Sequence, residues 1–289
     1  MLTLPVAAIA AVAVLAPPGP TAATWQLLEP GLELGRFEGP PGGTGDGLVT
    51  ILRVDPARFE LRLLNASAPG EGSARSARDW AVRTRAVAAI NAAMYQEDLR
   101  TSVSLMKART HVNQRRVSRD RAVLAFDPVA PGAPAFRIID RDCDDLDAVG
   151  PLYGSLVQSI RVVSCERKNV WTPSSRRTSA AIVGLDSAGR LLLVHSRTAW
   201  PTSVLAEALL ALPIDLRRAM YVEGGPEAQL FVNAGGRELE LVGAFEGIPS
   251  VAQNDDGWPV PNVLAVFRRE LRPSPRVPAA PAGKVPPLR

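Results

Sequence analysis

The chain has 289 residues, of which 46 % are hydrophobic, and a formal net charge of +4. It can therefore bury a full core, as one large domain or two small ones. Nucleic-acid binding usually needs a concentrated basic face with aromatic platforms, whereas only 5 % of these residues are aromatic and the arginines are scattered, so we expect no nucleic-acid partner.

The N-terminus has the pattern of an export signal. Val6 to Ala16 is an apolar run too short to span a bilayer comfortably, and a Pro-rich stretch and small residues suited to cleavage follow it. No Lys or Arg precedes the run, so a retained buried helix is the alternative. We predict a signal peptide over residues 1–23, a secreted or periplasmic protein, and no stable membrane span.

Strand patterns and one helix follow in the first half of the chain. Leu48 to Val54 and Phe59 to Leu64 consist mainly of residues that favour β-strands, and polar and apolar residues alternate clearly in the second segment. Ser76 to Thr84 predicts a helix that Ser76 can cap. Val87 to Ile90 predicts a buried strand that leads to Asn91.

The second half contains a predicted hairpin, a helix and a tail. Ala180 to Leu185 and Arg190 to His195 predict two strands joined by a turn. Ser203 to Leu212 predicts an amphipathic helix, with Val204 and Leu205 on its apolar face, that ends at a proline. Residues 271–289 are Pro-rich and predict a disordered tail.

These elements predict the fold class. Strands dominate, two or three helices are interleaved with them, and no fixed repeat is visible. We expect an α+β (or α/β) fold, with a mixed β-sheet flanked by a few helices in a single domain over residues 24–270.

Cys143 and Cys165 are the only cysteines, and two cysteines alone do not make a zinc site. A disulfide is the natural expectation in an exported protein, and two separate buried thiols are the alternative. Closing a loop of about 23 residues would stabilise the fold by roughly 3 kcal/mol on the chain-entropy estimate.

Two other groups of residues are candidates for chemistry. His195 beside Ser196 suggests a Ser/His/acid triad, but no GxSxG turn accompanies it. Five aspartates could hold Ca²⁺ in an exported protein, yet they lack the glycine and spacing of an EF-hand loop, so a solvated acidic loop is the alternative. They are Asp140, Asp142, Asp144, Asp145 and Asp147. We expect no metal and no cofactor.

The most informative segment runs from Ala219 to Leu230. An apolar strand ends there in Glu223, and Gly224 and Gly225 follow, which allow backbone angles closed to other residues and let a ligand approach the main chain. The alternative is a tight turn with a solvated acid. The segment resembles the "LDGGxS" signature of the phosphodiester glycosidase family.

Three further segments resemble motifs of the same family, in the family's order. Val87 to Tyr95 is similar to "xxxNAGFF", Arg177 to Val194 to "RTAxGxDxDGRxxLVV", and Pro261 to Val266 to "PNxxxV". Together the four segments cover most of the chain, and the resemblance implies a mixed sheet flanked by helices.

The resemblance also implies a reaction, the hydrolysis of a sugar-1-phosphodiester. A phosphate leaving group is stable as an anion, so a cation on the phosphate helps more than a strong acid, and arginine binds phosphate bidentately. The predicted catalytic residues are Glu223 as the carboxylate near the anomeric carbon, Arg177 as the phosphate ligand and Asn91 as a polar positioning group. The predicted substrate-binding residues are Arg176, Gly224, Gly225 and Tyr95.

The chain departs from the family pattern at three places. Glu223 replaces the family's aspartate, Ala93-Met94-Tyr95 replaces Gly-Phe-Phe, and Pro226-Glu227 stands where the serine is expected. A displacement of about 1 Å at a reacting carboxylate costs on the order of 100-fold in rate. The alternative to an exported hydrolase is therefore a non-catalytic glycan or cell-wall binding protein on the same scaffold.

Overall fold

The computed structural model describes residues 25–245 and 256–270. The predicted signal peptide, residues 1–23, and the predicted tail, residues 271–289, lie outside these ranges. Among the helices in the described ranges, none has the length and apolar character that a membrane crossing needs.

The predicted α+β (or α/β) class is wrong, because the protein is built mainly from two antiparallel β-sheets. Strands hold 49 % and helices 12 % of the described residues, so the helices are additions to a β fold. Every pairing between named strands is antiparallel.

The larger sheet has eleven strands. They are β1 (Trp25–Glu29), β2 (Leu32–Glu38), β3 (Leu48–Val54), β6 (Met106–Ala108), β7 (His111–Gln114), β8 (Ala122–Pro128), β9 (Phe136–Asp140), β10 (Tyr153–Val163), β11 (Arg177–Asp186), β12 (Leu191–Pro201) and β13 (Leu216–Gly224). Their order is β1-β2-β3-β12-β11-β13-β10-β6-β7, and β8 joins β10 to β9.

The smaller sheet has five strands, in the order β15-β14-β5-β16-β4. They are β4 (Phe59–Asn65), β5 (Ala88–Asn91), β14 (Gln229–Ala234), β15 (Arg237–Val242) and β16 (Asn262–Arg268). The helices of the described residues are α1 (Ala77–Thr84), α2 (Leu146–Val149) and α3 (Thr202–Ala211), with short 3₁₀ turns at Gly150–Leu152 and Gly225–Glu227.

Short connections explain the antiparallel pairing. Pro30-Gly31 joins β1 to β2, Gly235-Gly236 joins β14 to β15, and residues 187–190 form the turn that joins β11 to β12. A parallel pair needs a crossover of about a dozen residues or more, which these turns do not supply. The prediction was based on two or three helices interleaved with strands and on the family resemblance, whereas these helices lie outside two antiparallel sheets.

The two sheets pack face to face around the main core, and a helix covers the outer side of each. Leu52 and Met220 of the larger sheet and Ile90 and Leu264 of the smaller sheet belong to this one cluster of buried residues. On the outer side of the larger sheet α3 packs against β10, β11 and β12, and α1 packs on the outer side of the smaller sheet.

Local sequence signals locate the helices well. The Ser76 hydroxyl accepts a hydrogen bond from the Asp79 amide at 3.1 Å, so the predicted cap of α1 is confirmed. α3 ends before Pro213 as expected and buries Leu205 and Leu209. Val204 was predicted on the apolar face but is exposed, because the buried face of α3 runs through Thr202 and Ala206 instead.

The four family-like segments lie at neighbouring places in the fold. β11, β12 and β13 are adjacent in the larger sheet, and β14, β5 and β16 are adjacent in the smaller one. The Gly225–Glu227 turn connects β13 to β14 and therefore carries the chain from one sheet to the other. A ligand bound at this turn lies where the two sheets meet.

Candidate active site

Glu223 lies at the end of β13, immediately before the turn between the sheets. Glu223 pairs with Ala181 of β11, so a ladder of backbone hydrogen bonds holds its Cα in place. Gly225 has φ +64°, a left-handed conformation that favours glycine, and it begins the 3₁₀ turn to Glu227. The strand and turn together bring two carboxylates to one edge of the molecule.

A cleft of about 670 Å³ opens at this edge, within the range typical of ligand sites. Five of the predicted site residues line it: Glu223, Gly224, Gly225, Arg176 and Arg177. Nine further lining residues were not predicted as site residues: Met94, Ile160, Trp171, Ser174, Thr178, Thr202, Tyr221, Glu227 and Phe245. Most of the predicted residues thus converge on one cavity.

Glu223 is held in an environment that disfavours its charge. The pKa of its carboxyl is raised to about 7, chiefly by burial and to a smaller extent by the charge of Glu227, while a hydrogen bond from the Gly224 amide at 3.1 Å opposes the shift. Neither Glu223 nor Glu227 forms an ion pair within the described ranges. Two carboxylates that share a cleft without forming ion pairs, one of them with a raised pKa, are typical of functional sites.

The two predicted arginines differ in their contacts. Arg177 donates a hydrogen bond from Nη1 to the carbonyl of Gly42. Arg176 is exposed, and within the described part of the chain its guanidinium makes neither a hydrogen bond nor an ion pair. Arg176 therefore has more donors available for an anionic ligand than Arg177 has.

Tyr221 and Thr178 form the wall behind the Gly-Gly turn. The Tyr221 hydroxyl is hydrogen-bonded to Thr178, whose Oγ1 also accepts from the Gly225 amide at 2.9 Å. A Cβ on Gly224 would collide with the Tyr221 hydroxyl and with the Ser179 carbonyl oxygen, so any larger residue here would displace this wall of the cleft. Burial raises the pKa of Tyr221, and its phenol stays neutral and available as a donor.

A sequence signal could have identified Tyr221 as a site residue. Side chains two positions apart on a strand lie on the same face of the sheet, so Tyr221 and Glu223 share one face of β13. Trp171 could not be found in this way. It reaches the cleft from the segment between β10 and β11, where its ring lies 5.1 Å from that of Tyr221.

Tyr95 lies near the carboxylates without lining the cleft. The pKa of its phenol is raised to about 12, first by burial and then by the charges of Glu227 and Glu223. Its neighbour Met94 does line the cleft, in the segment where the family pattern has aromatic residues. The predicted role of Tyr95 in substrate binding stays a prediction.

Asn91 is buried at the end of β5 and is not among the lining residues. Its Oδ1 accepts a hydrogen bond from the Gln229 amide at 3.2 Å, while its Nδ2 has no partner among the described residues. Asn91 thus holds the first residue of β14, directly after the turn that follows Glu223. This contact supports a positioning role more than direct contact with a ligand.

The Ser/His/acid triad is not formed. His195 is buried, which lowers its pKa to about 4, and its Nε2 donates to the Ala228 carbonyl at 3.1 Å. Ser196 is also buried and donates its hydroxyl hydrogen to the Thr198 carbonyl at 2.7 Å. His195 instead holds the end of the turn that carries Glu227.

The predicted disulfide between Cys143 and Cys165 is confirmed, with the two Cα atoms 6.6 Å apart. The acidic segment beside the disulfide forms a cluster of ion pairs. The expectation of a solvated loop is therefore wrong for its central residues, Asp140 and Asp144. Asp140 is 1 % exposed and binds Arg161 at 2.5 Å. Asp144 binds both Arg137 and Arg218, at 2.8 and 2.5 Å.

Two solved structures are similar to this fold. The catalytic domain of zebrafish N-acetylglucosamine-1-phosphodiester alpha-N-acetylglucosaminidase, auto-inhibited by its pro-peptide, matches with a TM-score of 0.60 and 14 % identity, over 86 % of this chain and 87 % of that one. A hypothetical protein from Synechocystis matches with a TM-score of 0.56 and 15 % identity, over 88 % of this chain and 64 % of that one. At these identities the likeness shows the fold.

Comparison of the sequence with known protein families identifies the family of this chain. No curated protein is similar enough to count as a match. The phosphodiester glycosidase family model, however, matches residues 84–267. This range includes β5, the β11–β12 hairpin, Glu223 and the Gly-Gly turn. The chain belongs to the phosphodiester glycosidase family.

Proposed function

We propose that the protein is a hydrolase that cleaves a glycosyl phosphodiester at the sugar carbon. The observation that carries the proposal is the convergence of Glu223, Arg176 and Arg177 on one cleft. A carboxylate and two guanidinium groups in one cavity match a substrate that carries a developing positive charge at carbon and a negative charge on phosphate. Family membership supports the same class of substrate.

In this proposal Arg176 is the main phosphate ligand and Arg177 assists it. Arg176 has unused donors, and a guanidinium binds two phosphate oxygens at once. The first residue of α3, Thr202, also lines the cleft, and no side chain caps this helix end. A helix N-terminus attracts anions, so α3 adds a second favourable element for the phosphate.

Glu223 acts at the anomeric carbon. The bond between this carbon and the phosphate oxygen breaks, the phosphomonoester leaves with the electron pair, and water adds to the carbon and loses a proton. The ionised carboxylate stabilises the oxocarbenium-like transition state. Because its pKa is about 7, Glu223 exchanges a proton readily near neutral pH, which suits a group that also accepts the proton of the attacking water.

We also propose that the protein works outside the cytoplasm, secreted or periplasmic. The Cys143–Cys165 disulfide supports this location, because such bonds persist in oxidising compartments.

The direct experiment is an assay of the purified protein on a panel of glycosyl phosphodiesters, with detection of the free sugar. We expect turnover, and we expect Glu223→Gln to lower kcat by about 100-fold or more with little change in substrate binding. Glu223→Asp restores the family's usual residue and should retain turnover. Glu38→Gln, which removes an exposed carboxylate of β2 that is not among the lining residues, is the matched control.

Two outcomes would contradict the proposal in different ways. A protein that binds glycans but hydrolyses no member of the panel is a non-catalytic binding protein. Full turnover in Glu223→Gln would leave the enzyme in place and remove Glu223 as its carboxylate.

A further inference from the structure

We propose that the hydroxyl groups of Thr178 and Tyr221 position the Gly-Gly turn and, through the turn, the amide that binds the carboxylate of Glu223. Both are positioning residues for the reaction, so the inference rests on the proposed function and concerns how this chain sets its reactive group. Neither residue was predicted as a site residue from the sequence.

Thr178 binds the turn through its hydroxyl group. Its Oγ1 accepts a hydrogen bond from the Gly225 amide at 2.9 Å, and its own hydrogen is donated to the Ser179 carbonyl at 2.9 Å. Ser179 is fully buried in β11, the strand that pairs with β13. The second glycine of the turn is therefore tied to a strand that is itself held in the sheet.

Tyr221 binds the same hydroxyl group from the cleft side. A hydroxyl oxygen can accept two hydrogen bonds, and the phenol of Tyr221 fills the position on Thr178 that the Gly225 amide leaves open. A Cβ built on Gly224 would lie 2.8 Å from Thr178 Oγ1 and closer still to the Tyr221 hydroxyl. Both glycines of the turn therefore have these two hydroxyl groups against them.

The turn needs such support because glycine has the freest backbone of any residue. The Gly224 amide donates to Glu223 Oε1 at 3.1 Å, and the peptide group that follows it carries the Gly225 amide held by Thr178. The Gly224 bond favours the ionised form of Glu223, whereas burial and the charge of Glu227 favour the neutral form. Loss of the bond should therefore make Glu223 harder to ionise.

The groups around Glu223 allow this effect to be separated from others. Among the described residues, the titratable and charged side chains that surround Glu223 are Glu227, Tyr221, Tyr95, Arg176 and Arg177. A change of Thr178 alters none of these charges. A shift in the titration of Glu223 would then report the direction of the amide.

The test measures the titration of Glu223 directly, by carbon-13 NMR of protein labelled at the glutamate carboxyl groups. Glu223→Gln assigns the signal. Thr178→Val keeps the shape of the side chain and removes the hydroxyl, and we expect the pKa of Glu223 to rise by about one unit, the scale of one hydrogen bond to a charged group. Thr178→Ser restores a hydroxyl and should titrate close to the wild type.

The kinetics should change in the same sense. In Thr178→Val the acid limb of kcat/KM should move to higher pH, whereas removal of the charge of Glu227 would move it to lower pH. We also expect kcat to fall about 10- to 100-fold, because the carboxylate is less well placed, with a smaller change in KM.

Tyr221→Phe tests the other hydroxyl group. The pKa of Glu223 should rise less than in Thr178→Val, because Thr178 keeps its bond to Gly225. The double variant Thr178→Val/Tyr221→Phe should resemble Thr178→Val alone, since both changes act through one turn.

Thr84→Val is the matched control. Its hydroxyl donates to the Trp80 carbonyl at 2.8 Å at the end of α1, and it is not among the residues that line the cleft. We expect this variant to leave the pKa of Glu223 and the kinetics as they are in the wild type.

Three results would overturn the inference. The first is a pKa of Glu223 that stays at the wild-type value in Thr178→Val. The second is a Thr178→Ser protein that titrates like Thr178→Val, because the hydroxyl would then not be the cause. The third is a fall in melting temperature and rate with the pKa unmoved, which would show a structural role alone.

The NMR titration also separates this inference from the proposed function, because it needs no turnover. If the wild-type protein hydrolyses no glycosyl phosphodiester, a raised pKa in Thr178→Val still supports the positioning role, on a non-catalytic protein. Turnover with an unmoved pKa would overturn the inference and leave the proposed function in place.

Discussion

Two charged regions lie towards opposite ends of β13 and use the same residue types differently. Near its start, Arg218 binds Asp144, and the adjacent strand contributes Arg161, which binds the buried Asp140. Near its end, Glu223 faces the cleft with Arg176 on another wall, and within residues 25–245 and 256–270 neither of these two groups forms an ion pair.

The difference shows how contacts distinguish a structural charge from a functional one. In the disulfide region each central carboxylate is neutralised by an arginine and by backbone amides, so it has no capacity left for a ligand. In the cleft the charged side chains remain available to bind a ligand. Glu223 is buried there without a cation bound to it, and its pKa is raised to about 7. Mutations should therefore act mainly on stability in the first region and mainly on activity in the second.

The largest effect is expected from Arg161→Met. This change leaves the buried Asp140 without its cation, which should lower the free energy of unfolding by about 3–5 kcal/mol. Urea titration measures it. The double variant Asp140→Leu/Arg161→Met removes both charges and should recover much of the stability.

Arg109→Met is the matched control, because Arg109 binds Asp127 in an exposed ion pair. Exposed pairs contribute little, so this variant should unfold close to the wild type. An Arg161→Met protein as stable as Arg109→Met would contradict the structural role assigned to the buried pair.

The second-largest effect is expected from removal of the disulfide. Cys143→Ser/Cys165→Ser should lower the free energy of unfolding by roughly 3 kcal/mol, because the bond closes a loop of about 23 residues. The residues after Cys165 lead to Trp171 and Arg176, so we also expect KM to rise. Denaturation of this variant and of the reduced wild type should coincide.

Intact mass after alkylation without reductant provides the check on the bond itself. Two alkylated thiols in the wild-type protein would argue against the disulfide. A double variant as stable as the oxidised protein would argue against its contribution to stability.

The smallest effect is expected from Glu227→Gln, and it tests the electrostatics of the cleft. Burial and then the charge of Glu227 raise the pKa of Glu223, so Glu223 stays protonated up to higher pH. Without that charge Glu223 ionises more easily. If the reaction needs the ionised form, the acid limb of the profile of kcat/KM against pH moves to lower pH.

At the optimum we expect Glu227→Gln to change the rate less than about 10-fold, well below the effect of Glu223→Gln. Glu38→Gln, which removes an exposed carboxylate of β2, should leave the profile in place. If the acid limb does not move in Glu227→Gln, the charge of Glu227 does not affect the ionisation of the group that the reaction needs. That result would argue against Glu223 as this group.

Local patterns predicted the elements and much of the candidate site. The β11–β12 hairpin, the cap at Ser76 and the strand that ends in Glu223 depend on neighbouring residues, so they can be read from short segments. Contacts between distant segments could not be predicted in this way. The aspartates near Cys143 look like a solvated loop in the sequence because their arginine partners lie elsewhere in the chain.

By itself the sequence determined where the strands run, where the Gly-Gly turn stands, and to which family the chain is similar, because these depend on residue order over short distances. Only the tertiary structure decided that the sheets are antiparallel, that the turn after Glu223 joins them, and that Trp171 and Phe245 reach the same cleft. Burial and pairing across the fold set these features, since they depend on which surfaces meet when the two sheets pack.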